Sequence, residues 1–216
     1  MKQKKYLILT QRSSFFVTHF FHHIFTEKQC KVLYVKRSQS LTKTIREIFV
    51  NFGGLNTIKL VMYELAARMY YRSVELRLDS EVVQEKHLNS FLLNQMATRD
   101  YHQIISIGCP CKIEVRKEFG TMINLHGGLT QLQKGRFSPI KALLNNDRFV
   151  GVTIHEIEEE FDSGRIVSQC HLENNFTSNI RVYCAVLDAS QALLQSYLSG
   201  VRMSLPDEVA SLMEAR

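Results

Sequence analysis

The sequence predicts an α/β protein with a mostly parallel central sheet and helices on both faces, and three observations carry that expectation. Continuous apolar runs at residues 6–10 (YLILT) and 103–108 (QIISIG) have the pattern of strands buried on both sides. Phe16, Phe20 and Ile24 recur at the four-residue spacing of a helix, between the first run and another strand-like run at 31–36 (KVLYVK). Strand, helix and strand within about thirty residues specify a right-handed βαβ unit, and therefore parallel strands.

Composition narrows the class further. A chain of 216 residues, 45% of them hydrophobic, can bury a full core as one domain over 1–200, with 201–216 as a short helical extension. Three prolines and ten glycines argue against a linker-rich architecture. The net charge of +6 favours small anionic partners such as phosphates or nucleotides. The basic residues are dispersed, the densest run being Lys2 to Lys5, so nothing prompts a nucleic-acid partner. The five-residue apolar run near the start is too short for a signal-peptide core, and no stretch has the length of a membrane span. Five cysteines, an odd number, fit reduced thiols. A soluble cytoplasmic protein that engages no membrane is expected.

Along the chain, Ser13 or Ser14 caps the first helix and a second runs from Ser40 or Thr42 to Val50, ended by Asn51-Phe52-Gly53-Gly54. Thr57 caps a longer helix through Arg72, whose Ile58, Met62, Leu65 and Met69 form one apolar stripe and read as core. Residues 73–85 suit a peripheral strand and loop, and 86–98 a helix that Asn89-Ser90 would start later. After the strand at 103–108, Cys109-Pro110-Cys111 turns the chain into a short helix ending at Phe119, which Gly120 breaks. Two cysteines one residue apart invite a metal reading, but zinc takes about four ligands and no second pair follows, so no metal is expected. A strand at 122–125, a helix at 138–144 with Pro139 in its first turn, and a turn at 145–147 come next. The β-branched strand at 150–157 carries His155, read as a core histidine, and Glu158 to Glu160 read as a solvated face. Asp162-Ser163-Gly164 joins it to a strand at 165–171. A helix at 178–198 aligns Val182, Val186, Ala189, Leu193 and Tyr197 and stops at Gly200, and a last one spans 206–213.

The stretch from Thr121 to Gln169 holds the chemistry. Asn124, His126 and Asp162 supply an amide, an imidazole and a carboxylate, a workable set for acyl transfer. The amide donates to a carbonyl oxygen, the imidazole moves a proton, and the carboxylate orients and charges the imidazole. In an open α/β sheet the ligand crevice lies at the carboxyl ends of the strands, where Asn124 and His126 fall.

Asn-x-His followed by a Gly-bearing loop, then GVTIH, then DSGRIVSQ, resembles the core of the folate-dependent formyltransferases, most of all small sugar-nucleotide N-formyltransferases. The resemblance implies a three-layer Rossmann-like formyltransferase fold and catalytic roles for Asn124, His126 and Asp162. It implies that Gly108, Cys109, Pro110, Cys111 and Ile113, with Ile157 and Glu158, hold the pterin of N10-formyltetrahydrofolate as co-substrate. The chain departs from the family in two places. Gln11-Arg12-Ser13-Ser14 lacks the glycines of a phosphate loop, which counts against glycinamide ribonucleotide as acceptor. The family's H-P-x-L-L-P-x-x-R-G loop loses both prolines at 127–134, although Gly135 matches its glycine. No room is left for the additional domain of methionyl-tRNA formyltransferases, so tRNA is not the expected acceptor. A nucleotide-linked amino sugar is, with Arg12 and Lys134 as candidates for its diphosphate. Hydrolysis of formyl-folate, glycinamide ribonucleotide formylation and a non-catalytic binding module remain open, as does a homodimer through residues 15–25 or 57–72.

Overall fold

In the computed structural model the described residues are 5–11, 21, 23–25, 30–36, 41–55, 57–58, 62, 80–98, 101–109 and 111–200. The expected helix cap at Ser13 or Ser14, Arg12, most of the 57–72 stripe, residues 73–79, Pro110 and the 206–213 helix lie outside them. Among the described residues the apolar runs become strands β1 (Tyr6–Gln11), β2 (Cys30–Lys36), β3 (Ser80–Gln84), β4 (Gln103–Ile107), β5 (Met122–His126), β6 (Phe149–Glu156) and β7 (Ile166–Glu173). They form one sheet in the order β3-β2-β1-β4-β5-β6-β7. The helices are α1 (Leu41–Phe52), α2 (Leu88–Thr98), α3 (Ser138–Leu144) and α4 (Asn179–Leu198). The chain divides into two compact units, Met1–Ile123 and Asn124–Arg216.

In the first unit β1 pairs in parallel with both β2 and β4, and β2 pairs in parallel with β3. Leu7, Ile8, Leu9, Val32, Leu33, Ile104 and Ile105 are fully buried, as continuous apolar runs require of strands covered on both faces. α1 ends where Gly53 takes a left-handed φ of 75° and its N–H returns to the Phe49 carbonyl. Thr57 does not act as an N-cap: its hydroxyl donates back to the Gly53 carbonyl at 2.7 Å. Ile58 and Met62 stand exposed rather than in the core, because a four-residue period selects a helix face without saying what covers it. The helix expected to end at Phe119 shrinks to a single 3₁₀ turn, Lys117–Phe119, behind an extended Arg116.

In the second unit β6 and β7 run antiparallel, with a register shift between Ile154 and His155. Gly151 on β6 is obligatory, since a Cβ there would stand 2.2 Å from the Cys170 carbonyl oxygen. α4 begins at Ser178, whose hydroxyl accepts from the Arg181 N–H, and buries Val182, Val186, Ala189, Leu193 and Leu194. Gly200, at a φ of 76°, closes it.

Candidate active site

Asn124, His126 and Asp162 all lie in the second unit. The two-residue period of β5 puts Asn124 and His126 on one face and the buried Leu125 on the other. The following loop folds back onto the imidazole of His126. Glycine at 128 permits this, because a Cβ there would meet Ser138 Cβ at 2.5 Å and His126 Nε2 at 2.9 Å. Buried Thr153 of β6 anchors the same loop: its hydroxyl donates to the Gly128 carbonyl at 2.7 Å and lies 3.4 Å from the Thr130 N–H. The Gln169 amide reaches both Thr153 Oγ1, at 2.7 Å, and Gln131 Oε1, at 2.8 Å. Gly127 and Gly128 therefore sit in a loop held by polar bonds from a strand.

Asp162 comes from the turn between β6 and β7. Its backbone is left-handed, with a φ of 51°, a conformation short polar residues such as Asp tolerate best after glycine. Gly164 makes the turn possible, since a Cβ there would lie 1.8 Å from the Glu156 carbonyl oxygen. The Asp162 carboxylate accepts the Gly135 N–H on Oδ2 at 2.7 Å. Its Oδ1 faces Asn124 Nδ2 at 3.4 Å, His126 Nδ1 at 3.6 Å and His155 Nε2 at 3.5 Å. Asn124, His126 and Asp162, separated by up to 38 residues in sequence, thus share one cluster.

The partners assign the protons. His126 Nε2 is 3.2 Å from the Gln133 carbonyl, which can only accept, so Nε2 carries a hydrogen. Ser138 Oγ, also 3.2 Å from Nε2, donates its own proton to the Gly135 carbonyl at 2.6 Å and is left as a second acceptor. In the neutral imidazole the lone pair is therefore on Nδ1, facing Asp162. His155 has the opposite arrangement. Its Nδ1 donates to the Glu156 carbonyl at 2.8 Å, leaving Nε2 to accept from Asn124 Nδ2 at 3.1 Å.

The electrostatics follow from this packing. Burial lowers the pKa of His126 below its ordinary value, with the Asp162 charge opposing the shift. Burial also tends to raise the carboxyl of Asp162. The His155 ring beside it, the charge on His126 and the Gly135 N–H outweigh it and bring the group to about 2. The cluster at neutral pH is a fixed carboxylate beside an imidazole nitrogen that is free to take a proton, which the carboxylate then stabilises.

Sequence reasoning left His155, Ser138, Gln133 and Thr153 out of the site. His155 is 2% exposed, so it is buried like a core histidine and still bonds Asn124. Ile157 is half-buried and Glu158 is exposed. Lys134 is exposed, and its carbonyl accepts from the Lys141 ammonium at 3.2 Å. In the first unit Gly108, at a φ of 62°, follows β4 and is exposed. Cys109 and Cys111 are half-buried and Ile113 is buried. Among the described residues no group of three or more His, Cys, Asp or Glu is placed to hold a metal ion. No described helix is long and apolar enough to cross a membrane.

The fold has counterparts among known proteins. No family profile matches the chain. It is 28% identical over 105 residues to dTDP-4-amino-4,6-dideoxyglucose formyltransferases of Mycobacterium bovis and Mycobacterium tuberculosis. The match takes in 47% of this chain and 44% of those relatives, so the chain aligns with less than half of their length. A sugar N-formyltransferase from a Shewanella species superposes with a TM-score of 0.58 at 18% identity, over 95% of this chain and 75% of that one. Glycinamide ribonucleotide transformylase 1 from Symbiobacterium toebii gives a TM-score of 0.62 at 12% identity, over 90% of this chain and 85% of its own.

This chain has the formyltransferase fold.

A third protein of that fold, HypX from Aquifex aeolicus, solved with tetrahydrofolic acid, gives a TM-score of 0.57 at 13% identity over 92% of this chain and 27% of its own. The fold class expected from the apolar runs, and the resemblance expected from N-x-H and DSGRIVSQ, both agree with these likenesses.

Proposed function

We propose that this protein is an N-formyltransferase that moves a formyl group from N10-formyltetrahydrofolate to the primary amine of a small acceptor, a nucleotide-linked amino sugar. The observation that carries this reading is the cluster of Asn124, His126 and Asp162, with His126 Nδ1 turned toward the carboxylate. The folate supplies the one-carbon unit in an activated form. Asn124 donates an N–H to the carbonyl oxygen of that unit as negative charge grows there. His126 takes the proton that the attacking amine must lose on Nδ1, and Asp162 holds the resulting imidazolium until the proton passes to the departing nitrogen. The new carbon–nitrogen bond forms on the acceptor as the old one breaks, and no net proton is consumed.

The turn after β4 suits a flat heteroaromatic ring met through backbone. Gly108 leaves its approach clear of side chain, and Ile113 offers an apolar wall. Cys109, Pro110 and Cys111, with Ile157 and Glu158, complete that assignment by resemblance, and Lys134 and Arg12 remain the candidates for the acceptor's phosphates. The mycobacterial relatives carry an amino-sugar acceptor in their names, which supports a sugar nucleotide over glycinamide ribonucleotide.

The test is a formyl-transfer assay with N10-formyltetrahydrofolate and a panel of amino-sugar nucleotides, with glycinamide ribonucleotide as the competing acceptor. Formylated sugar is the expected product. Formate released without acceptor would replace this reading with a hydrolase. Folate that neither binds nor reacts would replace it with a binding module.

A further inference from the structure

The Cys-Pro-Cys motif is not used by the chemistry above. Cys109 and Cys111 lie just beyond the end of β4, and their sulfurs are 3.7 Å apart, in hydrogen-bond contact. Both are reduced and both are half-exposed, unlike the buried Cys30. A disulfide needs its sulfurs at about 2.05 Å, so a small rotation of two side chains would bring them to bonding distance. Only one residue separates them, which keeps the entropy of closing the ring small. The preceding Gly108, at a φ of 62°, gives the turn a residue whose backbone can absorb the change.

We propose that Cys109 and Cys111 form a dithiol site that small-molecule disulfides of the glutathione class convert to an intramolecular disulfide. The hydrogen bond to Cys111 holds the Cys109 thiol well above its ordinary value, and burial adds to that. Cys109 keeps its proton, and Cys111 is the attacking sulfur. The Cys111 thiolate displaces one thiolate from the small disulfide and becomes a mixed disulfide. Cys109 then loses its proton, attacks Cys111 Sγ and releases the second thiolate. Two protein thiols are oxidised, one disulfide is reduced to two thiols, and both protons end on the released thiols.

Closing the ring draws together two side chains of the segment assigned above to the folate, so the two redox forms differ in folate affinity. That consequence rests on the proposed function, whereas formation of the disulfide does not.

The full chain is equilibrated in mixtures of reduced and oxidised glutathione, trapped by alkylation, and read by intact mass and peptide mapping. The expected result is one bond joining Cys109 to Cys111, reversed by dithiothreitol. C109S and C111S are each expected to stop at a single glutathione adduct, on Cys111 and on Cys109 respectively, with no intramolecular bond. Wild-type protein that collects glutathione adducts without closing the ring, or that pairs other cysteines, would overturn the proposal. A calorimetric titration of both forms with 5-formyltetrahydrofolate separates the two claims. A closed disulfide in a protein that binds no folate in either form leaves the dithiol site standing and removes the formyl-transfer reading.

Discussion

The loop after β5 and the segment after β4 both leave the carboxyl end of a strand, yet they are held by different means. Residues 127–137 are tied down by His126 to Gln133, Thr153 to Gly128, Ser138 to Gly135 and Asp162 to Gly135, the first two of these bonds being buried. Residues 108–116 have a thiol contact, an ion pair between Arg116 and Glu114, and the Glu114 N–H donating to Asn89 Oδ1 at 3.3 Å. Glu114, Val115 and Arg116 are exposed. The difference suits the two tasks proposed above for these segments. Groups that move protons must be held within fractions of an ångström, whereas a flat ligand can be met by a surface that adapts.

The largest effect should come from the anchored side. Asn124→Ala is expected to lower turnover roughly a hundredfold or more, the usual consequence of losing one oxyanion donor, with His126→Ala comparable. Steady-state kinetics on both variants decide it, and turnover within a few-fold of wild type would erase the contrast between the two loops. Gly164→Ala forces a Cβ against the Glu156 carbonyl and should cost about 3 kcal/mol in urea unfolding, since backbone cannot rotate away as a side chain can.

The pH response comes next. Asp162 sits at about 2 in the fold, against about 3.9 for an unfolded Asp. Its stabilisation is present in full above about pH 4 and is lost as pH falls through 2, amounting to about 2 kcal/mol. Asp162→Asn should remove that acid-side slope. His126 has the same sign: the unfolded chain binds its proton more readily, so stability rises with pH between the lowered folded pKa and about 6.5. Without Asp162 the opposing charge is gone, and the His126 titration followed by NMR should move to still lower pH.

Smaller effects sharpen the contrast. Thr153→Val leaves the Gly128 carbonyl and Gln169 amide short of a partner and should cost about 1–3 kcal/mol, with turnover falling more than folate affinity. Asn89→Ala, which removes the acceptor of the Glu114 N–H, should cost under about 0.5 kcal/mol and leave turnover unchanged. A turnover loss there as large as that of Thr153→Val would show both segments to be equally constrained.

Much of the fold was legible because buried parallel strands leave continuous apolar runs, and because caps and stops such as Ser178 and Gly200 act locally. The three polar residues of the cluster were legible through resemblance, not spacing, since a sequence separation of 38 from Asn124 to Asp162 says nothing about contact. His155 escaped because a lone histidine on an apolar strand looks the same whether or not it bonds a side-chain amide on a neighbouring strand. Ser138 escaped for a related reason: at the start of a helix with Pro139 it reads as an ordinary opening residue, while its hydroxyl is turned onto His126. Ile58 and Met62 were misread because periodicity reports a face and not its cover.

The Thr153 anchor has a kinetic consequence. A loop amide normally trades its hydrogen with solvent quickly, because small local openings expose it. The Thr130 N–H instead bonds the hydroxyl of a fully buried β6 residue, and the N–H groups of Leu132 and Gln133 both return to the Leu129 carbonyl. The Thr130 hydrogen is released only when that bond to β6 opens, whereas the other two belong to a turn of the loop itself. In deuterium oxide the Thr130 amide should therefore exchange on the timescale of the strand, a loop position that behaves as part of the sheet.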